Sequence, residues 1–204
     1  MKEAEAYKLL IKYYLGGDKV IDIIGFSRGA VMAMQFAAMI KKYGIPKNES
    51  GVTVNSLYLS KSDDHYCPEI RFLGLFDPVP GPAGMTAPSN IPDIVQKTAI
   101  AYSINEQRNA FTPSIPEGKN IVMQGFPGGH ADVGGGYKDA GLSNEAMRWM
   151  INQGGTPFSM PSMDDYHMTN ERVSHQEDQW YWYLFGFGSR NLPPVLQPTI
   201  PVTP

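Results

Sequence analysis

Val20-Ile21-Asp22-Ile23-Ile24-Gly25-Phe26-Ser27-Arg28-Gly29-Ala30 is the stretch on which the reading of this chain turns. An apolar run leads into a Gly-x-Ser-x-Gly motif, and an Ala- and Met-rich segment over residues 30–40 follows it. Strand, tight turn and helix in that order are the context of a nucleophile elbow. The two glycines let the backbone turn sharply and let strand and helix approach closely, so the serine hydroxyl projects from the sheet edge. The helix that follows aims its free N–H groups at the place where an oxyanion forms. This predicts Ser27 as a nucleophile and the main-chain N–H of Arg28 as an oxyanion donor. The same motif also arises by chance in loops, so the reading depends on a base and an orienting acid elsewhere.

The chain has 4 histidines. His130 stands in Gly125-Phe126-Pro127-Gly128-Gly129-His130-Ala131-Asp132-Val133-Gly134-Gly135-Gly136-Tyr137, just after the short strand expected at Ile121-Val122-Met123. That places it in a glycine-rich loop at the C-terminal end of a strand, where catalytic groups of open α/β sheets collect. Small neighbours let the ring come within about 3 Å of a serine hydroxyl, as a general base must. His65, in a polar loop without a second ligand at defined spacing, reads as solvated rather than metal-binding. His167 and His175 lie in a polar, acidic region, and His175 is the reserve candidate. The acid is read as Asp77, which closes the buried strand expected over residues 70–76, before Pro78. There its carboxylate would accept from the histidine ring and fix the tautomer. Asp132, only two residues past His130, reads as a local bond to the glycine-rich backbone.

Three segments in this order, Gly25-Phe26-Ser27-Arg28-Gly29-Ala30, Leu75-Phe76-Asp77-Pro78-Val79 and Phe126–Tyr137, resemble the catalytic domain of type VI secretion phospholipase effectors and related uncharacterised α/β hydrolases. Asn105-Glu106-Gln107-Arg108-Asn109-Ala110-Phe111 and Leu142–Met150 fit the same pattern. The resemblance implies an α/β-hydrolase-like three-layer sandwich with a mainly parallel central sheet. It also implies a Ser27–Asp77–His130 triad, ester hydrolysis and phospholipids as substrates of the best-known members. Family members usually begin with earlier strands, one carrying Asp-Gly-Thr, whereas here Met1 opens almost at once into a helix. A second oxyanion donor normally comes from that upstream loop, and losing one such donor costs about 2.7–4 kcal/mol. The expectation is therefore a fragment, a gap filled by another segment or subunit, or a weakly active or inactive relative. A strand edge left open in this way would favour self-association into a homo-oligomer.

Composition bounds the rest. With 204 residues, 42% hydrophobic and 18% charged, the chain suits one substantial core, read as a single catalytic domain over 1–204. A net charge of −3 argues against a nucleic-acid partner. Cys67 is the single cysteine, so no disulfide forms within the chain. The charged first residues are unlike a secretory signal, and no apolar run reaches the roughly 20 residues of a membrane span. The chain reads as cytoplasmic when synthesised, with export lacking a cleaved signal left open. No cofactor or metal is needed for the expected chemistry.

Helices are expected over residues 3–14, after the elbow until Gly44 and Pro46, over 92–102 with Pro92 at its start, and over 144–152 with Ser143 as N-cap. Residues 52–59 read as β-leaning or irregular. Glu106 and Arg108 read as a solvated helix end, with substrate or structural ion pairing the rarer alternative. From about residue 178 the tail is aromatic and proline-rich, read as packing on the core, with transient membrane-surface contact as the alternative. Met160, Met163 and Met168 suit a flexible apolar pocket. The expected function is a serine hydrolase of lipid or phospholipid esters. Two rivals stay open: a soluble carboxylesterase on small acyl esters, and a non-catalytic binding domain that keeps the fold.

Overall fold

A computed structural model describes residues 2–47, 64–81, 85–155, 175, 186 and 188. The elements are α1 (Lys2–Leu15), β1 (Asp22–Phe26), α2 (Arg28–Tyr43), β2 (Ile45–Pro46), β3 (His65–Tyr66), β4 (Phe72–Phe76), β5 (Thr98–Ser103), a 3-10 turn at Asn109–Phe111, β6 (Ile121–Phe126), α3 (His130–Gly134) and α4 (Gly141–Gly154). Strands β1, β4, β5 and β6 lie side by side in that order, and every neighbouring pair is parallel. The short β2 and β3 pair antiparallel apart from this sheet.

Side-chain alternation along the central strands builds a three-layer α/β arrangement. Leu73, Leu75 and Ile100 join Tyr7 and Ile11 of α1 and Ala30, Val31, Met34, Ala37 and Ile40 of α2 in one core. Phe72, Ala99 and Ala101 face the other way, against Val133 of α3 and Ala146 and Met150 of α4. The first helix buries one face, with Tyr7 and Ile11 inside and Leu10 and Tyr14 packed beside them. Gly44, at φ 67°, ends α2, and its carbonyl accepts the Tyr7 hydroxyl at 2.7 Å.

Four local expectations are corrected. Residues 98–103 form a strand where a helix was expected, and all six are buried. A short run apolar on both faces suits a central parallel strand as well as a buried helix, and periodicity cannot separate the two. Pro92 instead opens a turn whose carbonyl accepts Val95 N–H at 3.0 Å. The last helix begins three residues earlier than expected, which carries Leu142 into the core, so Ser143 sits inside it rather than capping it. His65 belongs to β3 rather than to a loop, and β6 runs on to Phe126. The readings for residues 52–59, for Met160, Met163 and Met168, and for the aromatic tail lie outside the described residues.

Candidate active site

Ser27 and Asp77 stand one step beyond the C-terminal ends of two adjacent strands, β1 and β4. Phe26 and Phe76 are paired at those ends, and the ladders run on: Ser27 N–H donates to Phe76 O at 2.9 Å, and Asp77 N–H to Ala101 O at 2.7 Å. Both residues leave the strand with positive φ, 57° for Ser27 and 38° for Asp77. Side chains other than glycine rarely adopt that backbone, so both positions hold strain that the surrounding structure must sustain. At Ser27 the strain has a visible origin. A Cβ on Gly25 would come within 2.3 Å of the Gly29 carbonyl oxygen, so strand and helix meet at a distance only glycine permits.

His130 arrives from the other side of β5. The β6 strand ends at Phe126, and Pro127-Gly128-Gly129 carries the chain back across the sheet edge into α3, whose first residue is His130. Its Nε2 lies 2.8 Å from Ser27 Oγ and its Nδ1 lies 2.6 Å from Asp77 Oδ2. The structure thus brings together the three residues singled out in the sequence. Asp77 is completely buried, and its second oxygen accepts the Ser103 N–H at 3.0 Å. A carboxylate so placed fixes the histidine with Nδ1 protonated and leaves Nε2 to accept from the serine. Phe26 and Phe111 both pack against the His130 ring, tilted and edge-on, at centroid distances of 4.7 and 4.8 Å.

A layer of support behind His130 was not anticipated. Glu106 and Arg108, read first as a solvated helix end with structural ion pairing as the rarer alternative, are both buried and paired with each other at 2.7 Å. Glu106 Oε1 also accepts the Arg108 main-chain N–H at 2.8 Å, while Oε2 accepts the His130 N–H at 3.0 Å. Burial would raise the Glu106 carboxyl, but the hydrogen bonds from Arg108 and His130 and the Arg108 charge outweigh it and hold it at about 2. The Arg108 guanidinium then covers the Phe111 ring at 3.7 Å. Ser103 Oγ donates to Gly128 O at 2.7 Å, and Asn105 Oδ1 accepts Gly128 N–H at 2.8 Å, which fastens the returning loop to the end of β5. The signal in the sequence was the Glu-x-Arg spacing; the mistaken helix before it made both residues look exposed.

Asp132 Oδ2 accepts the Gly129 N–H at 2.7 Å, the local role expected of it. Asp22, on β1, pairs with Arg71 at 2.5 Å, far from this chemistry. The reserve candidate His175 does not reach Ser27; it bonds to Asp132 instead. Arg28 is exposed at the first position of α2, where a helix leaves its main-chain N–H groups without intrahelical partners. Ser27, Arg28 and His130 open into a cavity of about 770 Å³, walled largely by Phe26, Met32, Val79, Met85 and Phe111.

The family described as T6SS phospholipase effector Tle1-like, catalytic domain, matches residues 2–63 and 55–153. Two solved structures are similar. The Tle1 effector bound to the VgrG spike of the type 6 secretion system is 26% identical, with a TM-score of 0.42 over 67% of this chain and 29% of that one. An uncharacterized protein from Pseudomonas aeruginosa is 25% identical, with a TM-score of 0.45 over 73% of this chain and 26% of that one. The chain spans less than a third of the length of either structure. Nothing among curated proteins matches it.

Proposed function

Because this chain belongs to the Tle1-like catalytic domains of type VI secretion phospholipase effectors, we propose that it hydrolyses carboxylic esters of lipids, with phospholipids as the leading substrate class, by a serine mechanism. The observation that carries this is the unbroken chain from Ser27 Oγ through the His130 ring to buried Asp77, opening into an apolar cavity. Ser27 Oγ attacks the ester carbonyl carbon while His130 Nε2 takes the hydroxyl proton. The carbonyl π electrons move onto oxygen, and the Arg28 N–H donates to that oxyanion. Asp77 stabilises the imidazolium through Nδ1–H. Collapse breaks the bond to the leaving alcohol, which takes the proton from Nε2. A water then attacks the acyl-serine by the same steps, returning the acid and free Ser27. No metal or organic cofactor enters these steps.

The cavity volume, about 770 Å³, lies within the range of small-molecule sites and favours a second reading, a soluble carboxylesterase on short acyl esters. The two separate at a lipid–water interface, where a lipase accelerates on aggregated substrate. In the proposal, residues 1–204 act as one catalytic domain. Among the described residues no helix is long and apolar enough to cross a membrane. Export as a type VI secretion effector and self-association complete the proposal.

Fluorophosphonate labelling read by intact mass tests it. One adduct on the wild-type chain, absent from Ser27→Ala and formed far more slowly by His130→Ala, supports an activated serine. A folded wild-type chain that takes no label sinks the hydrolase reading and leaves the binding domain.

A further inference from the structure

His175, 43 residues beyond Asp132 in sequence, docks on the support of His130. Its Nδ1 lies 2.7 Å from Asp132 Oδ1 and its Nε2 3.1 Å from Asp139 Oδ2, and its own main-chain N–H donates to Asp132 Oδ2 at 2.9 Å. The Tyr137 ring stacks on the imidazole at 3.8 Å with an interplanar angle of 16°. Both ring nitrogens therefore face carboxylates, and only the imidazolium can donate to both at once. Asp132 is buried, and its Oδ2 also receives the Gly129 N–H, so the clamp acts on the residue immediately before His130. Gly129 is hemmed in: a Cβ there would lie 2.9 Å from the His175 carbonyl oxygen and 3.7 Å from Glu106 Oε2.

Resting on the hydrolase reading, we propose that His175 is a positioning residue for His130: its imidazolium brackets Asp132 to Asp139, and the bracket opens when the ring loses its proton. Asp139 lies just past Gly135 and Gly136, whose φ of 85° and 139° make that turn. The bracket thereby joins the turn after α3 to the carboxylate at the start of α3. A neutral imidazole keeps one N–H and must release one of the two carboxylates. The charged and titratable groups facing it are Asp132 from α3, Asp139 and Tyr137 from the turn, with the Glu106–Arg108 pair beyond Gly129. The hydrogen bond to Asp132 is the main reason that the ring holds its proton above the usual histidine range, outweighing partial burial, with both carboxylate charges and the Asp139 hydrogen bond adding to it. The positioning is complete below that raised value and fades as pH rises through it.

The test compares wild type, His175→Gln and Asp139→Asn on a soluble p-nitrophenyl ester across the pH range, beside an NMR titration of the His175 ring. Expected is an alkaline fall in kcat/KM for wild type and an earlier fall for Asp139→Asn. His175→Gln should lack that fall and run about 10-fold or more below wild type at neutral pH, within the 100-fold that a 1 Å misplacement costs. By NMR, Asp139→Asn should lower the pH at which His175 titrates, with the Gly129 and His130 amide signals following. Identical alkaline limbs in all three proteins, or a His175 titration unmoved by Asp139→Asn, would overturn the bracket. If wild type cleaves no ester the hydrolase reading fails by itself, and the amide shifts at Gly129 and His130 still decide whether the bracket exists.

Discussion

Glu106 Oε2 accepts the main-chain N–H of His130 at 3.0 Å, so that histidine is held by its backbone as well as, through Asp77, by its ring. Removing the charge takes the Glu106 carboxylate away from the buried Arg108 guanidinium. Glu106→Gln is expected to destabilise the fold by about 3–5 kcal/mol, the cost of breaking a buried pair from one side. Urea unfolding followed by circular dichroism reads this directly, and a loss below about 1 kcal/mol, the value of a surface pair, would count against it.

The same carboxylate sets a pH window. Its value in the folded chain, about 2, lies below the ordinary 4.5. A depressed carboxylate contributes stability that is whole above the unfolded value and is lost as pH falls towards the folded one. Wild type should therefore lose stability between about pH 5 and pH 2, and Glu106→Gln should lose less across that window. Parallel melting-temperature curves for the two proteins would contradict the assignment.

Asp77 is the group whose loss separates charge from shape. Asp77→Asn keeps the volume but presents the histidine with the wrong tautomer, and kcat should fall about 10⁴-fold with little change in fold. Ester turnover beside a thermal melt measures both. A fall of less than tenfold would mean that Asp77 is not the orienting acid.

Two glycines of the motif should respond differently. At Gly25 a methyl group would meet the Gly29 carbonyl at 2.3 Å, whereas at Gly29 nothing lies within 4 Å. Gly25→Ala should misfold or lose all labelling at Ser27, while Gly29→Ala should fold with its melting temperature at or slightly above wild type, since alanine favours a helix by about 1 kcal/mol over glycine. Equal tolerance at both sites would contradict the close approach of β1 and α2.

Gly134 guards the aromatic wall of the site. A Cβ there would stand 2.1 Å from the Phe26 ring, which packs on His130. Gly134→Ala should push that ring into the cavity and lower kcat/KM at least tenfold, with a smaller loss of stability than Glu106→Gln. An unchanged rate would show that Phe26 moves aside without disturbing His130.

The strand, tight turn and helix around Ser27 were legible because they are written locally, in an apolar run and a glycine spacing, whereas the layered architecture came from the family resemblance. What escaped was non-local. Residues 98–103 look the same as helix or strand until β4 and β6 are known to flank them. Glu106 and Arg108 look soluble until β5 is recognised, and then the chain turns them inward beneath α3. His175 approaches Asp132 across 43 residues, a pairing that no spacing rule announces.

The pairing of Phe26 with Phe76 at the ends of β1 and β4 makes the site a gauge of the sheet itself. A slip of one residue between those strands would carry Asp77 about 3.3 Å along its neighbour and turn its side chain to the opposite face. A chain that misaligned its strands would still be compact and apolar inside, and circular dichroism would hardly notice. On the proposed serine hydrolase reading, labelling at Ser27 would notice at once, and refolding yield would then be best counted in reactive serines rather than in soluble milligrams.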